Sequence, residues 1–354
     1  MGDLTQQLVE QIQHAHATKT ALNIQAGNTK ASLGRHTSGQ VIDVSQHTGV
    51  LSYNPTELVI TARAGTKIEH LNDLLAQTQQ RLPFEPPAFA GEATIGGTVA
   101  ANQSGPSRPW FGSVKDSLLG LGLINGYGQA MQFGGQVMKN VAGFDVTRLQ
   151  CGAMGGLGLI TQVSIKLLPA FKLTQTLTFE MTAQAALDTM QHWSNLSLPI
   201  TGMCHFQNKG QSLLYVRLQG GISGVEDAQV FLGGESLLPA KADAFWQALN
   251  QGTLMQRQDH QTLWCWGGPS DAPFNSVPNT CMINWAGAQR WVLEDTSNTR
   301  SQGLEKSLCQ YQGGNRLGEV NGTVSVPQKA LQQRIKHAFD PHSILNAGRV
   351  YSWM

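Results

Sequence analysis

The sequence predicts an α+β protein of two units that meet near residue 170. Apolar and polar residues alternate over residues 159–167, which is the period of a strand, and Pro169 closes that segment. Glycine-rich turns dominate the chain before this point, whereas strands and amphipathic helices follow it. A length of 354 residues agrees with two units, because a domain contains about 150 residues.

The composition argues against nucleic-acid binding and favours a protein that works in a complex. Lys and Arg total 24 and Asp and Glu total 23, so the net charge of +1 supplies no field to attract a phosphate backbone or an anionic membrane. Charged residues make up 13%, against a usual share of about 25%. A surface with so few charges resists association only weakly.

Cysteine and histidine usage predicts no metal site. The five cysteines contain no CxxC pair, and the ten histidines are scattered without a partner at ligand spacing. The N-terminus has neither a basic start nor an apolar run, and the longest apolar stretch, residues 118–124, is far below the ~20 residues of a membrane span. We therefore expect a cytoplasmic protein.

The first unit begins with a helix over residues 4–17, with Asp3 as its N-cap. Strands are predicted next, and Thr66 with Glu69 forms the capping box of a second helix. Residues 91–158 are interpreted as glycine-rich turns, interrupted by one hairpin. The predicted strands are 22–25, 41–44, 57–64, 118–124, 129–133 and 159–167.

The second unit alternates strands and helices, and a last helix closes the chain. Strands are expected at 173–181 and 213–218, and helices around Ala186–Trp193, 226–231 and 242–249. Residues 250–322 show no clear period. Ser325 caps the last helix, whose inward face is predicted to carry Leu331, Ile335, Ala338 and Phe339. The predicted domains are residues 1–170, 171–322 and 323–354.

Two small-residue segments can hold an anionic ligand. Residues 25–30 (QAGNTK) follow a strand as a tight turn whose N–H groups suit a phosphate, although an ordinary β-turn uses the same residues. Residues 94–102 (TIGGTVAAN) leave room for a pyrophosphate or a flat ring against the backbone. The alternative is tight packing of two chain segments, which requires equally small residues.

Two further glycine segments have different interpretations. Residues 152–158 (GAMGGLG) precede a strand, whereas the dinucleotide fingerprint follows a strand and opens a helix, so no nicotinamide site is predicted. Residues 339–349 end the last helix at Asp340-Pro341 and form a second turn at Asn346 and Gly348. Alone, this segment is typical of a C-terminal tie-down.

Together these segments resemble the vanillyl-alcohol oxidase family, whose members carry a PCMH-type FAD-binding domain. The turn at residues 25–30, the IGGTVAAN run, the GLGLIT strand entrance and the FDPHSILNAGR ending come in that family's order. GNTKASLGR, TIGGTVAANQSGPSRPWFGSVKDSLLG and QVMKNVAGFDVTRLQCGAMGGLGLIT are similar to the smaller flavoprotein subunits of bacterial glycolate oxidases. The resemblance is dense over residues 1–170, good over the last 30 and weak between them.

The resemblance implies a fold and a role for each matching segment. It implies an FAD-binding domain of two α+β subdomains, a smaller truncated α+β cap, and a C-terminal segment that returns to the FAD domain through Asn346 and Arg349. FAD is expected to be held without a covalent bond, because Asn28-Thr29 replace the linking histidine and His36 lies too far along the chain. The implied contacts are Gln25, Ala26, Gly27, Asn28 and Thr29 on one side of the pyrophosphate, Gly96, Gly97, Ala101, Asn102, Gly105 and Arg108 on the other side, Lys139, Asn140 and Gly143 beside the flavin, and Gly155, Gly156, Gly158 and Ile160 at the adenosine.

The resemblance also implies an oxidoreductase complex that converts glycolate, a 2-hydroxy acid, to glyoxylate. The partners would be a larger FAD-binding subunit and an iron–sulfur subunit that leads electrons to the quinone pool, with membrane contact only through the complex at the inner face of the cytoplasmic membrane. The HxxxDGNxH and EHGxG signatures of the larger subunit are absent, so no catalytic residue is assigned. Arg108 and Arg217 are candidates for holding a carboxylate. The alternatives are a stand-alone FAD-dependent 2-hydroxyacid dehydrogenase and a cofactor-free scaffold subunit; the eight tryptophans suit a partner-facing surface.

Overall fold

The computed structural model describes residues 2–135, 145–208, 210–295 and 307–354. They fall into two compact units, each assembled from separate chain segments. The first unit contains residues 1–104, 112–169 and 315–354, and the second contains residues 105–111 and 170–314. The assignment of residues 171–322 to a cap stays a prediction.

Helices and strands contribute in similar measure to the fold. The helices are α1 (Thr5–Thr18), α2 (Ile68–Ala76), α3 (Ile95–Ala101), α4 (Arg108–Phe111), α5 (Val114–Ser117), α6 (Val146–Leu149), α7 (Ala183–Ser194), α8 (Ile222–Leu232), α9 (Pro239–Gln251) and α10 (Val326–Phe339). The strands are β1 (Leu22–Gln25), β2 (Gln40–Asp43), β3 (Val50–Asn54), β4 (Val59–Arg63), β5 (Gln80–Arg81), β6 (Leu118–Ile124), β7 (Ala130–Gly134), β8 (Leu159–Lys166), β9 (Leu168–Pro169), β10 (Leu173–Glu180), β11 (Ile200–Asn208), β12 (Gln211–Gly220), β13 (Glu235–Ser236), β14 (Gln261–Gly267), β15 (Thr280–Asn284), β16 (Gln289–Asp295) and β17 (Leu308–Gln312).

The first unit contains a five-stranded sheet in the order β3-β4-β8-β6-β7 and a small parallel pair, β1 with β2. Strand β8 lies in the middle of the larger sheet, and most of its side chains on both faces are buried. The predicted polar face is therefore only partly polar, and the buried Ser164 hydroxyl bonds Thr61 at 2.8 Å. The apolar sides of α1, α2 and α3 contribute to one core with this sheet.

Three local predictions for this unit are corrected by the structure. Leu4 is the N-cap of α1, although Asp3 Oδ1 accepts the N–H of Thr5 at 3.0 Å. Lys67 is the N-cap of α2 and no capping side chain bonds there, because the Thr66 hydroxyl is engaged by Gly49. Residues 95–101, interpreted as turns, form the helix α3.

The last helix buries a different set of side chains from the predicted one. Ser325 caps α10 in a capping box with Gln328, as predicted. Leu331 and Ala338 are exposed, however, and the buried residue is Lys336. Of the predicted inward residues, Ile335 and Phe339 are half-buried and Phe339 packs against the core, and a buried ion pair of Lys336 with Asp340 adds to this contact.

The second unit contains an eight-stranded sheet in the order β13-β10-β12-β11-β15-β16-β14-β17. Helices α7 and α8 cover part of it through Ala186, Leu187, Met190, Val225 and Ala228. The expectation that the tryptophans form a partner-facing surface stays a prediction, and five of the eight are half-buried. None of the eight is exposed, and Trp246, Trp266 and Trp291 are buried. Among the described residues, no helix is both long and apolar enough to cross a bilayer.

Candidate cofactor site

A cavity of about 270 Å³ lies in the first unit, at the end of β1. The turn after β1, the start of α3, the loop before β8 and the C-terminal segment line it. Twelve residues implied by the resemblance are among the lining residues: Gln25, Ala26, Gly27, Asn28, Thr29, Gly96, Gly97, Ala101, Gly155, Gly158, Ile160 and Asn346.

The turn after β1 is held close to a neighbouring loop. Gly27 lies against the backbone of Glu92, so that a Cβ atom at Gly27 would overlap the Glu92 carbonyl. Asn28 follows with φ 51°, a left-handed conformation that asparagine tolerates better than most residues. This arrangement fixes the path of residues 25–30 along one wall of the cavity.

The C-terminal segment locks this turn from the other side. Asn346 Oδ1 accepts the N–H of Ile24 at 2.7 Å, and Asn346 Nδ2 donates to the Met154 carbonyl at 2.6 Å. Arg349 donates from its guanidinium to the carbonyls of Lys30 and Ala31 at 3.1 and 3.0 Å. One side chain thus joins β1 to the glycine loop before β8, and another fixes the turn itself.

Neighbouring glycines of α3 serve different purposes. A Cβ atom at Gly96 would lie 2.5 Å from the Cβ of Ala64, so Gly96 permits the close packing of α3 on the chain after β4. A Cβ atom at Gly97 would meet only Thr94 Oγ1 within 4 Å, at 3.1 Å. Because Gly97 lines the cavity, its missing side chain leaves space for a ligand.

The charged side chains that line the cavity are cationic. Lys30 and Arg349 line it together with His36, and none of the lining residues that the structure describes is Asp or Glu. Burial lowers the pKa of the Lys30 ammonium to about 8 and also lowers the pKa of Arg349. A half-buried cation without a carboxylate is destabilised unless an anion compensates it, so the cavity suits an anionic ligand.

One buried hydroxyl supports the same interpretation. Thr37 lines the cavity, and its Oγ1 is buried with no hydrogen-bond partner among the residues that the structure describes. A buried polar atom normally finds a partner, and a bound ligand can supply one here.

The remaining predicted residues lie elsewhere. Asn102 and Gly156 do not line the cavity, and Lys139, Asn140 and Gly143 lie outside the described residues. Gly105 and Arg108 belong to the second unit, where Trp285 Nε1 donates to the Gly105 carbonyl at 3.0 Å and the Arg108 guanidinium lies 4.3 Å from the Trp285 ring centroid.

Several residues that line the cavity were not among the binding residues predicted from the sequence. Lys30 belongs to the quoted QAGNTK turn, but only its burial shows it as a cavity cation. His36, which the resemblance places too far along the chain to be the histidine that links the flavin, lines the cavity nevertheless. Thr37 carried no signal in the sequence.

Two buried polar side chains of the second unit are engaged by protein partners. Arg217 donates from Nε to Thr201 Oγ1 at 3.1 Å and lies 5.0 Å from the Trp246 ring centroid, and its role in holding a carboxylate stays a prediction. His205 is buried with its Nε2 2.9 Å from Ser212 Oγ. Across the described parts of the chain, no group of three or more His, Cys, Asp or Glu could hold a metal ion.

Comparison with known proteins identifies the class. Residues 3–134 match the FAD binding domain family. The chain is 40% identical over 351 residues to the glycolate oxidase subunit GlcE of Escherichia coli (strain K12), covering 99% of this chain and 98% of that protein. It is 30% identical over 143 residues, 40% of this chain, to the glycolate oxidase subunit GlcD of Bacillus subtilis (strain 168), of which it covers 30%.

Solved structures agree on the fold. An alkyldihydroxyacetonephosphate synthase superposes with a TM-score of 0.66 over 96% of this chain and 74% of that chain, at 14% identity. Fold and matched segment define a PCMH-type FAD-binding protein. Within that class, the chain belongs to the family of the glycolate oxidase subunit GlcE.

The observed cavity fits FAD. Its small residues leave backbone accessible to a flat ring, its cations and turn suit a pyrophosphate, and the Thr37 hydroxyl is free to bond a ligand. The described lining contains no carboxylate, which is consistent with a dinucleotide that carries two negative charges.

Proposed function

We propose that this chain is the FAD-binding subunit of a multi-subunit glycolate oxidase, which converts glycolate to glyoxylate. The observation that carries the proposal is the 40% identity to a glycolate oxidase subunit over almost the whole of both chains. The match of residues 3–134 to the FAD binding domain family supports the cofactor assignment.

Within this proposal, bound FAD supplies a two-electron acceptor. The N–H groups of residues 25–29 would bind the pyrophosphate, Gly97 and Ala101 would leave room for a flat ring, and Gly155, Gly158 and Ile160 would border the adenosine side. Asn346 holds two of these walls together through its hydrogen bonds to Ile24 and Met154. These residues bind and orient the cofactor, and none of them is a candidate general base.

The chain is proposed to be an accessory flavoprotein, because the described lining of the cavity contains no carboxylate, and its one histidine, His36, is exposed. A larger FAD-binding subunit would complete the 2-hydroxyacid site. An iron–sulfur subunit would pass electrons to the quinone pool, since the described part of this chain contains no cluster of metal-ligating residues.

Anaerobic addition of glycolate tests this assignment. The flavin absorbance of the isolated chain should persist, whereas the same addition to the chain co-purified with its larger and iron–sulfur subunits should bleach the flavin. D-lactate serves as the matched substrate control.

Two alternative results point to other functions. Prompt bleaching of the isolated chain would establish a stand-alone 2-hydroxyacid dehydrogenase. If the chain takes up no FAD either in isolation or within the complex, only a scaffold role remains.

A further inference from the structure

The Lys30 ammonium lies at the cavity without a carboxylate partner. Its Nζ donates to Thr29 Oγ1 at 3.2 Å and lies 5.2 Å from the ring centroid of Phe89. Among the residues that the structure describes, no Asp or Glu forms an ion pair with it. A hydroxyl and an aromatic ring orient this cation but do not neutralise it.

The charged groups around Lys30 leave its charge uncompensated. Arg349 donates to the Lys30 carbonyl and adds a second cation, and His36 lines the same cavity. The loop that carries Phe89 also carries Glu85 and Glu92. Glu92 Oε1 accepts instead from Lys67 Nζ at 2.7 Å.

We infer that Lys30 binds the pyrophosphate of FAD and couples cofactor binding to its own protonation. The inference rests on the proposed function, because it takes FAD to be the occupant of this cavity. The ammonium supplies a point charge to the anion, whereas the turn N–H groups supply dipoles. Lys30 is the lysine among the described lining residues, and it gains a counterion only when the dinucleotide binds.

The direction of the coupling follows from linkage. In the ligand-free chain, burial holds the pKa of Lys30 at about 8, below the usual 10.5. A bound pyrophosphate favours the protonated form and raises this pKa. FAD affinity is then constant below pH 8 and falls as pH rises above it, because binding must take up a proton.

Stability of the ligand-free chain changes in the opposite sense. Since the folded-state pKa is below the unfolded-state value, the unfolded chain binds more protons between pH 8 and 10.5, and the contribution of Lys30 to stability rises over this window. At neutral pH the charged Lys30 destabilises the empty chain. Removing the charge therefore preserves or raises its melting temperature.

The test is a fluorescence titration of the flavin-free full chain with FAD, at neutral pH and above pH 8. Lys30→Met should weaken FAD binding about 10- to 100-fold at neutral pH and abolish the alkaline loss of affinity. Lys30→Arg should retain tight binding without that alkaline loss, because arginine stays charged. Lys67→Met, which removes an exposed lysine paired with Glu92, is the matched control and should bind FAD like the wild type.

The readouts separate this inference from the proposed function. The role of Lys30 would be overturned if Lys30→Met bound FAD as tightly as the wild type, or if its loss of affinity paralleled a loss of melting temperature. Either result would leave the FAD assignment intact. A wild-type chain that does not bind FAD would overturn both.

Discussion

At the residue scale, the cavity depends on which atoms are missing from α3. Gly96 and Gly97 are adjacent, yet a Cβ atom at Gly96 would meet Ala64 and one at Gly97 would meet only Thr94 Oγ1 within 4 Å. Substitutions at the two positions should therefore separate folding from cofactor binding, although both add side-chain volume to the same helix.

Gly97→Leu should abolish FAD retention without unfolding the chain. The leucine side chain would project into the cavity, and leucine favours a helix over glycine by roughly 0.5–1 kcal/mol. We expect a melting temperature of the flavin-free chain at or above the wild-type value, together with no flavin in the purified protein. Full flavin content in this variant would show that Gly97 does not border the cofactor.

Gly96→Ala is the contrasting variant. Its Cβ would lie 2.5 Å from the Cβ of Ala64, so α3 or the chain after β4 must move, at a cost of about 1–3 kcal/mol. We expect a lower melting temperature already in the flavin-free chain, measured by thermal denaturation. An unchanged melting temperature would mean that the chain around Ala64 moves to accommodate the added methyl group at little cost.

The same scale shows how far the sequence predicts the site. Contiguous motifs such as residues 25–29 and 96–97 were found because turn residues and small residues indicate the local backbone conformation without information from distant segments. Lys30, Thr37 and Arg349 were not assigned binding roles, since their importance depends on burial and on segments that meet only in the folded chain.

At the element scale, the C-terminal helix is fixed by one buried ion pair. Lys336 Nζ donates to Asp340 Oδ2 at 2.7 Å, to the Gly156 carbonyl at 2.7 Å and to the Leu345 carbonyl at 2.9 Å. Asp340 in turn accepts the N–H groups of Ile344 and Leu345. This pair therefore ties α10 to the glycine loop before β8 and to the segment that carries Asn346.

Lys336→Met should destabilise the chain strongly. Removing one partner leaves the buried Asp340 carboxylate without its cation, which typically costs about 3–5 kcal/mol. Arg334→Met, on the exposed side of the same helix, is the control and should stay within about 0.5 kcal/mol of the wild type. Chemical denaturation measures both, and equal midpoints for the two variants would refute the role of the pair.

Elements with a clear hydrophobic period were predicted, and elements fixed by distant partners were not. The alternation in β10 and the apolar stripe of α7 led directly to their positions. Helix α3 was missed because its Gly-Gly pair disfavours a helix, which Thr94 nevertheless caps and the burial of Ile95 and Val99 stabilises. Strands β14 to β17 were missed because turn residues separate them and their own sequences show no clear alternation.

At the scale of the whole molecule, net charge and local charge have different meanings. The net charge of the chain is only +1, yet the cavity collects Lys30, His36 and Arg349, and its described lining contains no carboxylate. The protein thus provides for an anionic cofactor locally, in a chain that is almost neutral. A basic composition is not required, since turn N–H groups and a few buried cations suffice.

The measurement that tests the account most directly is the visible spectrum of the purified full chain, followed by acid precipitation. The account predicts flavin absorbance at about one FAD per chain, released completely into the supernatant because the cofactor is held without a covalent bond. A colourless chain that takes up no added FAD would contradict the cofactor assignment. A flavin that stays with the precipitate would contradict non-covalent binding and direct attention to His36 in the cavity wall.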